Sequence, residues 1–528
     1  MSPGPMRWRD VRDGVLLADF PDASDELANR VCVTLCDQLR SANIRGLRDA
    51  IPGARSLLVT FDLRRLDGAR LRRRMESSIT EDPGSRSPRR LMRVPIAYGA
   101  EDLQELARAR GLSTEEFARR HAEAEYRVAF IGFAPGFAYL TGLPPELHAP
   151  RRPSPRPRVA AGSVAIGGPY TGIYPGVSPG GWQLIGKTTV RLFDVDADPP
   201  ALFRAGDRVR FEPVRLSDLP DLPERSAPVS GGRAILRVVS PGVWTTIQGA
   251  PAYGLGSSGV PPGGAMDSDS LARANALVGN APGEPGLEMG LIGPELEALG
   301  DCMVALGGAD FDAQWNGKSA PREAAWRMAA GDRLRLVRAR RGVRAYVAVA
   351  GGLESPGRSG APAPRLEAGA TIAIQPHPPG GSAAAGLPGM RDLSEDLHLR
   401  VMLGPEADQF AAAEIDRFLA GSWRVSSESD RRGLRLEGEP PLSHRMAPEI
   451  APSGTVSGSI QVPGSGLPIV LGPDGPVTGG YPRIATVIGA DLSALGQAAP
   501  GAVVRFRPVS LPQALEARGS SGSTMFLP

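Results

Sequence analysis

Residues 130–188 read FIGFAPGFAYLTGLPPELHAPRRPSPRPRVAAGSVAIGGPYTGIYPGVSPGGWQLIGKT, a segment dense in residues that set the backbone conformation. Glycine or proline recurs every few positions, and each of these residues either frees the backbone or fixes its φ angle. Short apolar runs lie between them, for example at residues 164–166 and 182–185. This pattern is typical of short strands joined by tight turns, so it predicts a barrel or a sandwich.

Four arginines lie within this stretch, at positions 151, 152, 156 and 158, and four prolines precede or separate them. Proline fixes the backbone, so the guanidinium groups are held in place. Guanidinium forks bind carboxylates and phosphates through two hydrogen bonds. The segment therefore predicts an anion-binding wall beside glycine-lined backbone. The alternative is a surface loop whose arginines pair with local carboxylates, and the sequence leaves both open.

The bulk properties predict a multidomain protein that is rich in turns. The chain has 528 residues, a length typical of roughly three to five domains. It contains 66 glycines and 52 prolines, which is above average usage and indicates many turns rather than long helices. The net charge of +3 is too small to indicate nucleic acid as a partner.

The cysteines and the hydropathy pattern bear on the cellular compartment. Cys32, Cys36 and Cys302 show no metal-ligand spacing, and a sparse, odd count suits a reducing cytosol. Cys32 and Cys36 are one helical turn apart, so we expect them on one helix face. No apolar run approaches the ~20 residues of a membrane-spanning helix, and no signal core opens the chain. We therefore predict a cytoplasmic protein without membrane contact.

The first unit, residues 6–80, alternates strand and helix patterns and predicts a small α+β domain. Ser24 is a candidate N-cap for its first helix, because its hydroxyl precedes a run with apolar residues four apart. Strands are predicted for residues 14–20 and 56–61, and helices for residues 25–41 and 66–79.

Two segments rich in proline, serine, glycine or alanine divide the rest of the chain and predict linkers, namely residues 216–232 and 376–396. They separate three predicted units, residues 91–214, 234–375 and 397–512. A turn that leads into a strand of alternating apolar and basic residues closes each unit, at residues 205–210, 330–335 and 500–505. This echo predicts domain duplication rather than a short-repeat array.

A long, ordered set of motif residues runs through the central stretch. The set begins with GFAPGFAYL at residues 132–140 and ends with SPGGWQ at residues 178–183. Between them it includes residues 150–152, 155–156, 161–164 and 173–175. This set resembles the family of the 5-oxoprolinase B subunit, also called Kip inhibitor or allophanate hydrolase subunit 1.

A second ordered set lies in the C-terminal half, at residues 240–248, 259–261, 264–267, 274–280, 287–288, 316–317, 331–332, 344–352, 403–405, 429–431, 458, 460–463, 468–471 and 478–482. It resembles the 5-oxoprolinase C subunit, also called allophanate hydrolase subunit 2. The two resemblances together imply a natural B–C fusion. The implied fold is mainly β, with an α+β N-terminal domain and three cyclophilin-like β-barrels in tandem.

Residues 181–188 formally match the phosphate-binding pattern GxxxxGK[ST]. That pattern requires a strand before it and a helix after it. Here the bulky apolar residues inside the match and residues 189–193 after it both favour strands. We therefore do not interpret the match as a P-loop, although Lys187 stays a candidate point charge for a phosphate or a carboxylate.

Three residues are candidates for catalysis: His121, Asp267 and Glu288. A histidine with its ordinary pKa near ~6.5 suits a proton shuttle, and the alternative is a helix C-cap. Asp267 and Glu288 offer acceptors for a lactam or amide, and the alternative is N-capping and turn bonding. The histidines show no HxH or HExxH spacing, so we predict no metal site.

The other candidates would bind substrate or phosphate, and the resemblance suggests most of them. They are Arg151, Arg152, Arg156, Ser163, Tyr174, Gly180, Gly181, Trp182, Lys187, Gln248, Asn275, Asp430, Gln461, Thr478 and Tyr481.

The C-terminal half departs from its resemblance at two places, after Gln248 and at residues 353–369, where the segment is shortened and dominated by proline, alanine and glycine. Relatives of the C type usually carry an acidic and a basic residue shortly after the position of Gln248, whereas here residues 249–254 read GAPAYG. Losing charged groups from a site usually removes their chemistry. We therefore expect a C half that is weakened, altered in substrate, or a scaffold.

The resemblance implies a B–C component of ATP-dependent 5-oxoprolinase, which opens the lactam of 5-oxoproline to glutamate with ATP and a separate protein similar to the 5-oxoprolinase A subunit. Mg²⁺ is a second cofactor candidate, and a homo-oligomer is predicted. One alternative is carboxyl transfer as in urea carboxylase. The two lysines of the chain, Lys187 and Lys318, do not lie in a Met-Lys-Met motif, so no biotin site is predicted. The other is a non-enzymatic inhibitor that binds a histidine kinase.

Overall fold

The computed structural model describes residues 4–79, 90–220, 231–355, 363–375, 393 and 396–520. Within these ranges the chain is mainly β and begins with an α+β domain, which confirms the predicted fold class. The predicted linkers at residues 216–232 and 376–396 lie for the most part outside the described residues.

The N-terminal domain is a four-stranded sheet with two helices on one face. Its elements are β1 (Arg7–Arg12), β2 (Val15–Asp19), α1 (Asp25–Ser41), β3 (Leu47–Pro52), β4 (Ser56–Phe61) and α2 (Gly68–Ser77), and the sheet order is β1-β2-β4-β3. The Ser24 hydroxyl accepts a hydrogen bond from the Leu27 N–H, which confirms the predicted start of α1. Cys32 and Cys36 are both buried between α1 and the sheet. The helix α2 begins two residues later than predicted because the Asp67 carboxylate caps it.

The second unit closes into a seven-stranded barrel. Its elements are β5 (Leu91–Tyr98), α3 (Leu103–Ala109), α4 (Thr114–Glu123), β6 (Tyr126–Ile131), β7 (Ala138–Thr141), β8 (Arg156–Val159), β9 (Ser163–Gly167), β10 (Tyr170–Ile173), β11 (Ser178–Gly180), β12 (Gln183–Lys187) and β13 (Arg208–Pro213). The barrel order is β10-β7-β6-β13-β5-β12-β9, and β8 and β11 form a separate two-stranded sheet. We call this unit the first barrel.

The middle unit contains β14 (Arg233–Ser240), β15 (Thr245–Gln248), α5 (Ser268–Leu277), β16 (Gly286–Gly290), β17 (Glu295–Ala298), β18 (Cys302–Trp315), β19 (Lys318–Ser319), β20 (Ala325–Met328), β21 (Arg333–Val349) and β22 (Thr371–Ile374). They form one nine-stranded sheet, which does not close within the described residues. The barrel predicted for residues 234–375 is therefore an open sheet in the part of that unit which the structure describes. The 17-residue strand β21 explains this difference, because along its length it pairs with β16, β17 and β18.

The last unit is a second closed barrel. Its elements are β23 (Asp396–Leu403), α6 (Ala412–Ala420), β24 (Trp423–Val425), β25 (Gly433–Glu437), β26 (Ser453–Gly454), β27 (Ser459–Gln461), β28 (Ile469–Leu471), β29 (Thr478–Gly479), β30 (Arg483–Val487), α7 (Leu492–Leu495), β31 (Val503–Pro508) and α8 (Leu511–Ser520). The barrel order is β23-β30-β27-β28-β25-β24-β31, with β26 and β29 paired beside it. We call this unit the second barrel.

The two barrels share one topology. Replacing β5, β6, β7, β9, β10, β12 and β13 by β23, β24, β25, β27, β28, β30 and β31 converts the first cyclic order into the second. In each barrel the first and last strands pair in parallel, and each has a two-stranded sheet at the same place in the order. The shared strand order and pairing support the predicted duplication for these two units.

Candidate functional site

The loop between β6 and β7 packs the first barrel against the second barrel. Phe133 has a φ of 68° and Gly136 a φ of 79°, so the loop turns sharply through the left-handed region. A Cβ atom on Gly132 would lie 1.6 Å from the Thr478 Oγ1 atom. The loop backbone therefore rests directly on the Thr478 side chain, and glycine is required there.

An aromatic face of the first barrel lies beside this loop. Residues alternate along each strand, so Leu140 points into the barrel core whereas Tyr139 belongs to a separate outer cluster. Ring centroids in the cluster are 4.3–6.2 Å apart, in the stacked and edge-to-face geometries that aromatic pairs prefer. Its rings belong to Phe130, Phe133, Phe137, Tyr139, Tyr170, Tyr174 and Trp182.

Buried phenols give this face its polar groups. Burial raises the pKa of Tyr139 and of Tyr174, so both hydroxyls stay protonated and able to donate at neutral pH. Gly180 lies against the second of them, because a Cβ there would be 2.2 Å from the Tyr174 hydroxyl oxygen. The predicted residues Tyr174, Gly180 and Trp182 are therefore brought together.

The second barrel supplies the facing residues. Tyr481 is close enough to Tyr139 to influence the pKa of its phenol, and the Gln461 amide donates to the Tyr481 carbonyl at 3.4 Å. Arg151 approaches Glu449 across the boundary, with 3.9 Å between Nη1 and Oε1. The Thr478 hydroxyl is buried, and it has no hydrogen-bond partner within the described ranges.

We call this region the barrel junction. It consists of the aromatic face and Arg151 on the first barrel, and of Glu449, Gln461, Thr478 and Tyr481 on the second barrel. Phe133, Tyr170 and Tyr481 are partly exposed, and Arg151 is exposed, so solvent reaches its edge.

The predicted arginine wall is largely neutralised. Arg156 Nη2 donates to the Asp102 carboxylate at 2.7 Å and Arg152 Nη1 donates to the same oxygen at 3.3 Å. The second Asp102 oxygen accepts from the Leu184 N–H at 2.6 Å, and Arg156 also pairs with Glu101 at 3.0 Å. These contacts favour the alternative in which local carboxylates hold the arginines, so Arg152 and Arg156 are not retained as phosphate ligands.

His121 lies inside the first barrel rather than at its surface. Its side chain is fully buried, Nδ1 is 2.8 Å from the Tyr98 hydroxyl and Nε2 is 3.0 Å from the Thr171 hydroxyl. Burial lowers the pKa of His121 to about 3. Both the proton-shuttle and the C-cap interpretations are therefore replaced by a structural role in the barrel core.

We expect the His121 imidazole to stay neutral between about pH 5 and 8. Its folded pKa lies below the unfolded value, so the unfolded chain binds more protons and the folded state loses stability as the pH falls below ~6.5. The ring nitrogen shifts in a ¹⁵N NMR titration test this, with the denatured chain as reference. A folded-state midpoint near the unfolded value would contradict the buried geometry.

Asp267 and Glu288 lie between the middle unit and the second barrel. Glu288 is fully buried and accepts hydrogen bonds from the Met266 N–H at 2.9 Å, the Tyr346 hydroxyl at 2.7 Å and Arg431 at 2.6 Å. Asp267 caps α5 and accepts from the Gln497 amide at 2.7 Å. These saturated contacts argue against the predicted catalysis and favour the alternative of capping and bonding.

The other candidates are scattered. Asn275 donates to the carbonyls of Pro282 and Glu284, and Gln248 donates to Thr246, so both are structural. Asp430 is exposed and accepts from two backbone N–H groups of its own turn. Lys187 is exposed at the end of β12 opposite Ser163, and no helix follows it before the next strand, which is the geometry expected of a match that is not a P-loop. The Gly181 carbonyl accepts from the Arg152 N–H, which anchors the arginine segment.

Several important residues were missed because their partners are distant in sequence. Asp102, which holds the arginine segment, precedes it by about fifty positions, and nothing local marks it. Tyr139, Phe133 and Phe137 lie within motif residues 132–140, and the close spacing of these aromatic residues was the sequence signal that could have identified them.

Among the described residues no group of three or more histidine, cysteine, aspartate or glutamate side chains is placed to hold a metal ion. None of the described helices is both long and apolar enough to cross a membrane.

Comparison with known proteins defines the class. Residues 6–203 match the family "Carboxyltransferase domain, subdomain C and D", and residues 258–508 match "Carboxyltransferase domain, subdomain A and B". The solved structure of TTHA0988 superposes with a TM-score of 0.82 at 35% identity, covering 93% of this chain and 99% of that one. Fold and site thus define a carboxyltransferase-domain protein that contains both subdomain pairs, C and D in its N-terminal part and A and B in its C-terminal part.

The curated relatives define the family more narrowly. The B subunit of 5-oxoprolinase from Escherichia coli O157:H7 is 45% identical over 183 residues, which is 33% of this chain and 82% of that protein. The C subunit of 5-oxoprolinase from Escherichia coli K12 is 36% identical over 302 residues, which is 54% of this chain and 94% of that protein. The chain belongs to the families of the 5-oxoprolinase B and C subunits, joined in one polypeptide.

Proposed function

We propose that this chain is the B–C component of an ATP-dependent 5-oxoprolinase, which acts with a separate A subunit to open the lactam of 5-oxoproline to glutamate. The observation that carries the proposal is the seating of the Gly132 loop on Thr478. It joins the B-type part and the C-type part of the chain into one composite surface. The relatives named above are subunits of this enzyme, and the chain spans most of both.

The barrel junction has the groups that a small lactam requires. A flat five-membered ring packs well on aromatic faces such as those of Phe133 and Tyr170. Its carbonyl needs donors, which the phenols of Tyr174 and Tyr481 provide, and its carboxylate needs a cation, which Arg151 provides. In this proposal the chain binds and orients the lactam.

ATP supplies the phosphoryl group that makes the lactam carbon electrophilic. The residues predicted to hold phosphate do not fit that task within the described part of the chain. Arg152 and Arg156 are paired with Asp102, and Lys187 ends a strand rather than beginning a helix. We therefore assign ATP binding to the A subunit or to its interface with this chain, and Mg²⁺ with it.

The test is the assay of 5-oxoproline-dependent phosphate release by the purified chain mixed with its cognate A subunit. We expect turnover only with both proteins present, and Tyr481→Phe is expected to lower kcat/KM about tenfold through loss of one hydrogen bond. Tyr126→Phe is the matched control, because its hydroxyl donates to the His121 carbonyl inside the barrel core. Absence of 5-oxoproline-dependent turnover would overturn the proposal.

The homo-oligomer stays a prediction, and light scattering of the purified chain would measure its oligomeric state.

Carboxyl transfer is the second candidate function, and the names of the matched families favour it. A putative urea carboxylase of Emericella nidulans is 33% identical over 310 residues, although these are 25% of that protein. The structure of the K. lactis urea amidolyase superposes with a TM-score of 0.51 at 26% identity, covering 56% of this chain and 20% of that one. Carboxyl transfer from a carboxybiotinylated carrier protein, without 5-oxoproline turnover, would favour this function.

A further inference from the structure

A cavity lies where the N-terminal sheet, the middle unit and the second barrel meet. Its volume is about 100 Å³, and none of the residues that define the barrel junction lines it. Its walls are mostly apolar. Arg12, Asp49, Thr60, Leu434, Val456 and Leu495 are among the lining residues.

Two polar side chains in this wall each bury an atom that has no partner. Arg12 is 3% exposed and Thr60 is 5% exposed. The Arg12 Nε atom and the Thr60 Oγ1 atom have no hydrogen-bond partner among the residues described. A buried guanidinium N–H and a buried hydroxyl are costly to leave unpaired, so both call for a group inside the cavity.

The sheet register places these two groups on one side of the cavity. Arg12 opposes Val15 on the neighbouring strand, Val15 opposes Thr60, and Thr60 opposes Asp49. Side chains directly opposite each other share a face of the sheet. With about 5 Å between strands, the backbones at Arg12 and Thr60 are about 10 Å apart, a span that the long arginine side chain shortens.

Charge distinguishes the two ends of this row. The Asp49 carboxylate already accepts from the N–H groups of Gly254 at 2.9 Å and Gly256 at 3.0 Å. At the other end, Asp13 lies 3.9 Å from Arg12 but 3.1 Å from Arg518. One carboxylate thus lies near two buried guanidinium groups, and Arg12 is the more distant of the two.

We propose that this cavity binds a small monocarboxylate with a short apolar chain, of about three to four carbons. The carboxylate accepts from Arg12 and from the Thr60 hydroxyl. The apolar chain lies against Val456, Leu434 and Leu495. A cavity of about 150 Å³ accommodates benzene, so this smaller one takes a shorter molecule. The site lies outside the barrel junction and does not depend on the function proposed there.

Isothermal titration calorimetry of the purified full chain with propionate tests the site without any partner protein. We expect saturable binding of one propionate per chain. Propionamide has nearly the same shape without the charge, and it should not bind. Absence of saturable propionate binding, or equal binding of propionamide, would overturn the proposal.

Two variants locate the binding. Thr60→Val keeps the side-chain shape and removes an unpartnered hydroxyl, so it should leave folding intact and weaken propionate binding about tenfold. Val456→Phe fills the cavity and should abolish binding. Arg12 itself is left in place because it also donates to the Asp13 carbonyl at 3.3 Å. Wild-type propionate affinity in both variants would place the ligand elsewhere and refute the site.

Discussion

Replacing Arg431 by methionine is expected to lower the free energy of unfolding by about 3–5 kcal/mol, because it breaks a buried ion-pair network. Arg431 reaches from the second barrel into the middle unit. Its Nη1 donates to Glu288 at 2.6 Å, its Nε to Asp474 at 2.7 Å and its Nη2 to the Gly264 carbonyl at 2.7 Å. Without the guanidinium, the fully buried Glu288 carboxylate loses its closest cation.

Most of the loss in unfolding free energy comes from leaving the Glu288 and Asp474 carboxylates without their cation. The lost attraction between Arg431 and these carboxylates contributes less. A buried pair is worth little against a well-packed apolar replacement, whereas half of a pair is strongly unfavourable. The double variant Glu288→Gln with Arg431→Met should therefore be less destabilised than the sum of the single variants. Such non-additivity is the expected signature of residues in direct contact.

Urea denaturation of the wild type and the variants measures this effect. Arg119→Met is the matched control, since Arg119 pairs with Glu116 and Glu123 on an exposed face of α4. Surface pairs of this kind contribute about 0–1 kcal/mol. If Arg431→Met were as mild as Arg119→Met, the network would not join the two units.

Local patterns in the sequence predict the elements of this fold well. The four-residue apolar spacing and the Ser24 hydroxyl predict α1 at its observed bounds, because capping and periodicity act within one helix. The glycine and proline pattern predicts the strands and turns of the first barrel for the same reason. The open form of the middle sheet depends instead on the pairing of the long strand β21 with β16, β17 and β18, which the turn pattern does not specify.

The chemical role of a charged residue is harder to predict than its position. Proline does hold the arginine segment, but the anion it meets is Asp102 from the preceding α3 region rather than a ligand. His121 lies at a helix end in both the prediction and the structure, yet the closing barrel covers it. In each case a contact made only by the folded chain decides whether the side chain is free to react.

Substitution of Gly132 by alanine is expected to separate the two barrels at their contact. The new methyl group would lie 1.6 Å from the Oγ1 atom of Thr478 and 2.7 Å from its Cβ atom, distances that no rotamer change fully relieves. Overpacking of this kind costs about 3 kcal/mol or more, because backbone must move. We expect the unfolding free energy to fall by that amount, and turnover with the A subunit to be lost with the barrel junction.

A double-mutant cycle isolates this contact from general damage to the loop. Thr478→Gly removes the three atoms nearest to the new methyl group, so Gly132→Ala should cost much less unfolding free energy in that background. Gly176→Ala is the matched control in the same barrel, since its Cβ would meet nothing within 4 Å. If Gly132→Ala proved as harmless as Gly176→Ala in urea denaturation, the barrels would not meet at Thr478, and the composite surface on which the proposed function rests would not exist.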